Sequence, residues 1–447
     1  MKLSRKNVGR IATTFLATAM LASLTAVPAM AVANPIGSGD NMGIVDSDSD
    51  IDAFTMKKNL YKPEKVYAPN LTFEFTVSPT DPAPDEVATG TTSNNQNVQI
   101  PVSKGEEGGV VGATTAGTTG KAVFSPEKDY NATDNVENDG GIGQELISEN
   151  VTFTVDNTKF THAGVYKYTI TETQFNPAAV GYDEFEDIKF DTLPTRVLYV
   201  YVEENDDTNE GADPYIVTGI VMKNGDKKDD GFDNGYFKDP DGTDETPHEL
   251  FVQKEVTGAM GNKSEEFAFT IKIDGAEGEK YYAVVEELGA NGAWTETTTI
   301  YTITSGDAAM PFTLKHNQRL HVYGLSDTDT YTVVEKTATG YVTTVNGYIV
   351  ETSEVGKLTP NASGEGYTNT ELTNGSENSE NPNTFEGTLG HTQANNAPEI
   401  KDVTVLYENN REAVSPTGIV MNVAPYALLV VIAAAGCFVF LRKRDED

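Results

Sequence analysis

Phe54-Thr55-Met56-Lys57-Lys58-Asn59-Leu60 has the period of a β-strand with one apolar face. Side chains alternate across a strand, so Phe54, Met56, Lys58 and Leu60 share a side and Lys57 points the other way. Phe251-Val252-Gln253-Lys254-Glu255-Val256 repeats the arrangement, with Val252, Lys254 and Val256 together. Each stretch opens a series of short β-branched and aromatic runs broken by Gly, Pro, Asn and Asp. The first series continues at Leu71–Val77, Val151–Val155, Val165–Glu172, Val197–Val202, Ile216–Met222 and Phe232–Phe237. The second continues at Phe267–Ile273, Tyr281–Val285, Thr298–Ile303, Leu320–Tyr323, Thr330–Glu335, Tyr341–Val345 and Val403–Asn409. No long amphipathic helix interrupts them. The pattern predicts an all-β protein of two tandem immunoglobulin-like β-sandwich domains, at 51–239 and 249–412, joined by a linker at 240–248.

The two series share more than their first strand. Late in each comes a Tyr-Thr-x-x-Glu strand, Tyr168 to Glu172 and Tyr331 to Glu335. Parity sets Glu172 beside Tyr168 and Ile170, and Glu335 beside Tyr331 and Val333. Each series then closes on an apolar strand carrying Asn: Asn234 in Phe232–Tyr236, and Asn409 in Val403–Asn409, with Asn410 and Asn369 as competing positions. Most strand lysines snorkel to water from an edge. Lys, Glu and Asn on apolar faces, twice and in the same order, fit that account poorly, because burying a lone Lys or Glu costs several kcal/mol.

Net charge is −36, which disfavours nucleic acid and anionic lipid as partners. The only cysteine, Cys437, lies in the apolar C-terminal run, so disulfides, a Cys thioester and a thiolate nucleophile are excluded from the domains. The five histidines are scattered, and neither His-x-x-x-His nor Gly-x-Ser-x-Gly occurs. Neither a hydrolase, a cofactor nor a metal site is expected. Asp46-Ser-Asp-Ser-Asp50 lacks the Gly and distal Glu of a calcium loop and reads as a solvated acidic run. Residues 32–50 read as a flexible leader, 82–120 as a long exposed excursion, and 371–398 as a disordered insertion.

The ends concern export. Lys2, Arg5, Lys6 and Arg10 precede an apolar stretch from Ile11 to Val27, followed by Pro28-Ala29-Met30-Ala31. This is the pattern of a secretory signal peptide, residues 1–31, cleaved after Ala31 or Ala33. At the other end, 413–447 holds Val414-Ser415-Pro416-Thr417-Gly418, an apolar run from Ala424 to Leu441, and Arg442-Lys443-Arg444. The apolar run is expected to be a transmembrane helix with its basic end in the cytoplasm.

The whole tail resembles the cell-wall sorting signal of Gram-positive surface proteins. That resemblance implies that a sortase cuts between Thr417 and Gly418 and joins the Thr carbonyl to an amine, so that membrane contact precedes sorting only. The usual pattern is Leu-Pro-x-Thr-Gly, and here Pro416 sits one place later, as in shifted variants of streptococcal pilins. The two domains in turn resemble the isopeptide-bonded domains of Gram-positive pilins: the first a pilin isopeptide-linkage module, the second, with Phe312-Thr-Leu-Lys315 and Gly324-Leu-Ser-Asp-Thr-Asp-Thr-Tyr331, a collagen-adhesin B-type module. The resemblance implies Lys58–Asn234 and Lys254–Asn409 crosslinks promoted by Glu172 and Glu335. It also implies a wall-anchored pilus subunit, with other pilin subunits or peptidoglycan as partners. The rival is a monomeric wall-anchored adhesin for a host or neighbouring-cell ligand. An acceptor lysine for polymerisation separates them. Tyr-Pro-Lys-Asn, the acceptor motif of one pilin class, is absent, and another class points to Lys223, Lys227 or Lys228 before the first domain's terminal Asn, with Lys62 and Lys65 next.

Overall fold

The computed structural model describes residues 34–36, 43–46, 50–91, 96–114, 117–130, 133–136, 144–175, 186–205, 212–238, 247–350, 356–362, 367–372, 383–390, 402–414 and 429–434. The signal peptide with Ala31, Ser415 to Gly418 of the sorting motif, and most of linker 240–248 lie outside these residues. Of the expected span 424–441, a short helical piece at 429–434 is described, and no described helix is long and apolar enough to cross a membrane.

Strands β1 (Ala53–Pro63), β2 (Leu71–Pro79), β3 (Gln144–Val155), β4 (Gly164–Glu172), β5 (Thr195–Glu204), β6 (Tyr215–Asn224) and β7 (Gly231–Lys238) build the first sandwich. One sheet runs β7-β1-β3, and the facing one runs β6-β5-β4-β2. The second sandwich contains β8 (His248–Thr257), β9 (Phe267–Asp274), β10 (Lys280–Leu288), β11 (Trp294–Thr304), β12 (Met310–Leu314), β13 (Gln318–Leu325), β14 (Thr330–Glu335), β15 (Val342–Ile349), β16 (Thr384–Thr388) and β17 (Asp402–Asn410). Its sheets run β11-β10-β13-β8-β17-β15 and β12-β9-β14-β16. Every strand run expected from the sequence falls on one of these strands. The alternation that marked them is the burial pattern: Phe54, Met56 and Leu60 are buried in one apolar core, Leu250, Val252 and Val256 in another.

In both sandwiches the first strand pairs parallel with the last, β1 with β7 and β8 with β17. Parallel neighbours cannot be joined by a hairpin, so the rest of each domain is the crossover between them. The entry and exit strands of each sandwich are therefore neighbours running the same way, so the chain enters at one end of the sandwich and leaves at the other.

Three expectations about the polar stretches are corrected. The leader is tied down in part: Asn34–Pro35 pairs with β1, and Ile44–Asp46 pairs with β6, burying Ile36 and Val45. The excursion folds as a hairpin, Val87–Thr91 with Asn97–Lys104, whose second arm extends the sheet beside β4. Ala88 and Val102 pack there on Val165, apolar contacts that Gly, Thr and Asn hide in the sequence. Inside the insertion, β16 pairs with β14 and buries Phe385, so one aromatic residue anchors a strand in a polar stretch.

Candidate functional site

Lys58 reaches the core from the middle of β1, and Glu172 comes from the last residue of β4 in the facing sheet. Asn234 stands on β7 beside them. All three are buried, at 0%, 2% and 1% exposure. Lys58 Nζ lies 2.8 Å from Glu172 Oε1, and Asn234 Nδ2 donates to that same oxygen at 2.9 Å. Asn234 Oδ1 accepts from the backbone N–H of Asp191 at 2.9 Å, which polarises the carboxamide carbonyl. The second sandwich repeats the trio. Lys254 Nζ donates to Glu335 Oε2 at 3.2 Å and to the Tyr407 carbonyl at 3.3 Å, and Asn409 Nδ2 donates to Glu335 Oε1 at 2.6 Å.

Register makes the two sites equivalent. Lys58 pairs with Phe232 and Lys254 with Tyr407, and in each case Asn lies two residues further along the same strand. Two residues is one side-chain period, so Lys and Asn emerge on one face of adjacent strands. Asn410 follows Asn409 and turns to the other face, while Asn369 accepts from the Thr359 N–H, away from Lys254. Lys57 points outward, half-exposed, 3.5 Å from Asp230.

Burial also sets the electrostatics. Desolvation pulls both Lys58 and Lys254 down from the usual lysine value to about 8, although Glu172 and Glu335 oppose it. Desolvation raises both glutamates, against the pull of the same lysines. Both shifts favour a neutral amine beside a protonated carboxyl. Among the described residues Glu172 Oε2 and Asn409 Oδ1 have no hydrogen-bond partner, a costly condition for buried oxygens. Under each amine lies an aromatic ring, Phe73 at 4.7 Å from Lys58 Nζ and Phe267 at 4.6 Å from Lys254 Nζ. Sequence reasoning missed these rings and Asp191. The signal for the rings was available: Phe73-x-Phe75 and Phe267-x-Phe269 occupy corresponding strands, β2 and β9.

The remaining candidates stand elsewhere. Lys223 is the penultimate residue of β6, with Nζ 5.2 Å from the Tyr199 ring, and Lys227 and Lys228 are exposed on the returning hairpin arm. Val414, at the end of the described chain, is exposed.

Against known proteins, a pilin of Streptococcus pyogenes serotype M1 is 26% identical over 292 residues, 64% of this chain and 69% of its own length. The chain resembles a pilin. A pilus tip adhesin, Cpa, of Streptococcus pyogenes is 32% identical over 100 residues, 22% of this chain and 13% of the adhesin. Among solved structures, the major pilin from Streptococcus pyogenes aligns with TM-score 0.40 at 19% identity, covering 83% of this chain and 100% of that one. The family model for a domain of unknown function (DUF7601) matches residues 248–381, starting on the first residue of β8.

Proposed function

We propose that this chain is a structural subunit of a sortase-assembled pilus on a Gram-positive cell wall, each sandwich closed by a self-formed Lys–Asn isopeptide bond. The carrying observation is the pair of buried Lys-Glu-Asn trios in equal register, in a chain similar to a pilin. In each trio the neutral Lys amine attacks Asn Cγ, and the protonated Glu polarises the carboxamide. The Nζ–Cγ bond forms and Cγ–Nδ2 breaks. A proton from the amine reaches Nδ2 through the Glu carboxyl, and ammonia leaves. Fixed proximity supplies effective molarities on the order of 10⁵ M or more, enough for a reaction that runs once. It is a single self-reaction, not enzymatic turnover. Because the bond joins the first strand to the last, tension entering on β1 would leave on β7 without loading the sandwich, and likewise from β8 to β17.

Wall sorting through Val414 to Gly418 and polymerisation through a lysine complete the reading. Lys227 and Lys228 are exposed, on the hairpin with Lys223 that closes the edge of a sheet. Lys62 is buried against Glu145, and Lys65 is engaged by Glu296 and Tyr323, which leaves both poorly placed to meet a sortase. In wall extracts, replacing Lys223, Lys227 and Lys228 together by Arg keeps the charge and should collapse a high-mass ladder to monomer. Thr417→Ala should release the protein from the wall. A ladder that survives the triple change moves the acceptor elsewhere; wall attachment that survives Thr417→Ala rejects the sortase reading. A single band in the unmodified strain favours the second reading, a monomeric anchored adhesin, which the match to a tip adhesin supports.

A further inference from the structure

The outer face of the β10-β13-β8 sheet carries a charged network that the crosslinks do not use. On β13, Leu320 and Val322 face the core, so Arg319, His321 and Tyr323 face outward. Arg319 and His321 are nonetheless only 3% exposed. The Arg319 guanidinium is stacked between Phe251 at 4.3 Å and Trp294 at 4.4 Å, and it donates to Glu286 Oε2 at 2.5 Å and to the Gly356 carbonyl at 3.0 Å. His321 lies between two carboxylates, Nδ1 3.0 Å from Glu286 Oε1 and Nε2 3.1 Å from Glu249 Oε2. Among the described residues Nε2 has no hydrogen-bond partner beyond this ion-pair contact, and it stands at the wall of an open cavity of about 590 Å³. The β10–β11 turn forms the opposite wall. It is preformed, with Gly289 N–H donating to the Ala293 carbonyl at 2.8 Å and Asn291 Oδ1 accepting from Ala293 N–H at 3.1 Å.

We propose that this cavity is a binding subsite for a neutral sugar ring. Hydroxyl groups both donate and accept, and the lining alternates accordingly: Glu249 accepts, Lys357 donates, and Asn291 does both. Trp294 supplies an apolar edge for the C–H face of a pyranose, the usual mix of one aromatic wall and a few fixed polar groups. A free anion is disfavoured by Glu249, Glu286 and a chain of net charge −36, and a free cation by Arg319 and Lys357. A wholly apolar ligand would strand the buried His321 nitrogen. The proposal stands whether or not the crosslinks form.

Trp294 is the chain's only tryptophan, so its emission reports on this cavity alone. The mature protein is titrated with galactose, N-acetylglucosamine and lactose, with sialyllactose as an anionic probe, while saturation-transfer NMR detects a sugar that seats without perturbing the indole. A neutral sugar should bind saturably, with affinity on the order of millimolar, and at least about tenfold more weakly in Glu249→Gln and in the exposed-site variant Lys357→Ala. Unchanged melting of both variants makes that loss local. Absence of saturable binding in both measurements overturns the proposal. So does binding that is equal in both variants, or binding of sialyllactose alone.

Discussion

A fragment spanning 34–413, made in a host without sortase, should weigh less than its sequence by two molecules of ammonia, one for each sandwich. The trios need no partner: Lys58, Glu172 and Asn234 are already in contact in the folded chain, as are Lys254, Glu335 and Asn409. Peptide mapping should join the segment with Lys58 to that with Asn234, and Lys254 to Asn409. Glu172→Ala and Glu335→Ala should each restore one ammonia mass, because the remaining amine and carboxamide lack a proton carrier. The near-isosteric Glu172→Gln and Glu335→Gln should do the same with the buried shape kept. Losing one bond reopens a loop of well over a hundred residues, about 5 kcal/mol if the chain-entropy account of disulfides transfers, and lowers that sandwich's melting point by roughly 10–20 °C. The other sandwich should melt as before, since each has its own core. Lys57→Ala should leave the deficit intact, as Lys57 faces solvent beside Asp230. A fragment of full mass without crosslinked peptides would falsify the isopeptide reading.

Much of this was legible because a strand's period is short and strict. Once Phe54, Met56 and Leu60 are assigned to a core, Lys58 must be there too, and the same parity delivers Glu172, Glu335 and Asn234. Asn409, Asn410 and Asn369 stayed in competition on sequence alone; the register of β17 against β8 puts Asn409 on the Lys254 face, and Asn369 is engaged by the Thr359 N–H. The rings under the two lysines were legible only as a repeat, Phe73-x-Phe75 and Phe267-x-Phe269 on corresponding strands; that each ring meets a lysine is a sheet-to-sheet contact, which leaves no mark in linear spacing. Strand β16 was missed for a related reason. Phe385 is a lone aromatic among Asn, Glu, Thr and Gly, and its burial comes from its pairing with β14. The charged cavity around His321 was hidden in another way. Arg319, His321 and Tyr323 have the outward parity of solvated residues, yet a covering segment at Gly356, whose added Cβ would meet Phe251 and Arg319, closes over the guanidinium.

Lys238 is the other residue whose place the sequence concealed, and its removal should have the largest effect on how the two sandwiches move together. As the last residue of β7 it reads as a strand-end lysine open to water. It is 1% exposed, because the second sandwich closes over it. Its Nζ donates to the Gly324 carbonyl at 2.5 Å, pairs with Glu279 and lies 5.2 Å from the Tyr281 ring. Around it, Val66 bridges to Tyr281, Tyr67 and Thr302 share a hydrogen bond of 2.6 Å, and Lys280 reaches Glu127 at 2.5 Å. The residue that leaves the first sandwich, four positions beyond Asn234, is thus clamped to the second. Lys238→Met keeps the stem's volume but strips Glu279 of its buried partner, a loss of roughly 3–5 kcal/mol for a broken buried pair. The separate cores keep each sandwich folded, so the loss falls on the interface. Small-angle scattering should show a broader distribution of maximum dimensions than for the unmodified protein, and calorimetry should resolve two transitions further apart. Glu279→Gln, which retains a hydrogen-bonding oxygen for Lys238, should fall between the two. A Lys238→Met protein whose scattering profile and calorimetric trace overlay the original would show that the surrounding contacts at Val66, Tyr67 and Lys280 hold the sandwiches together without it.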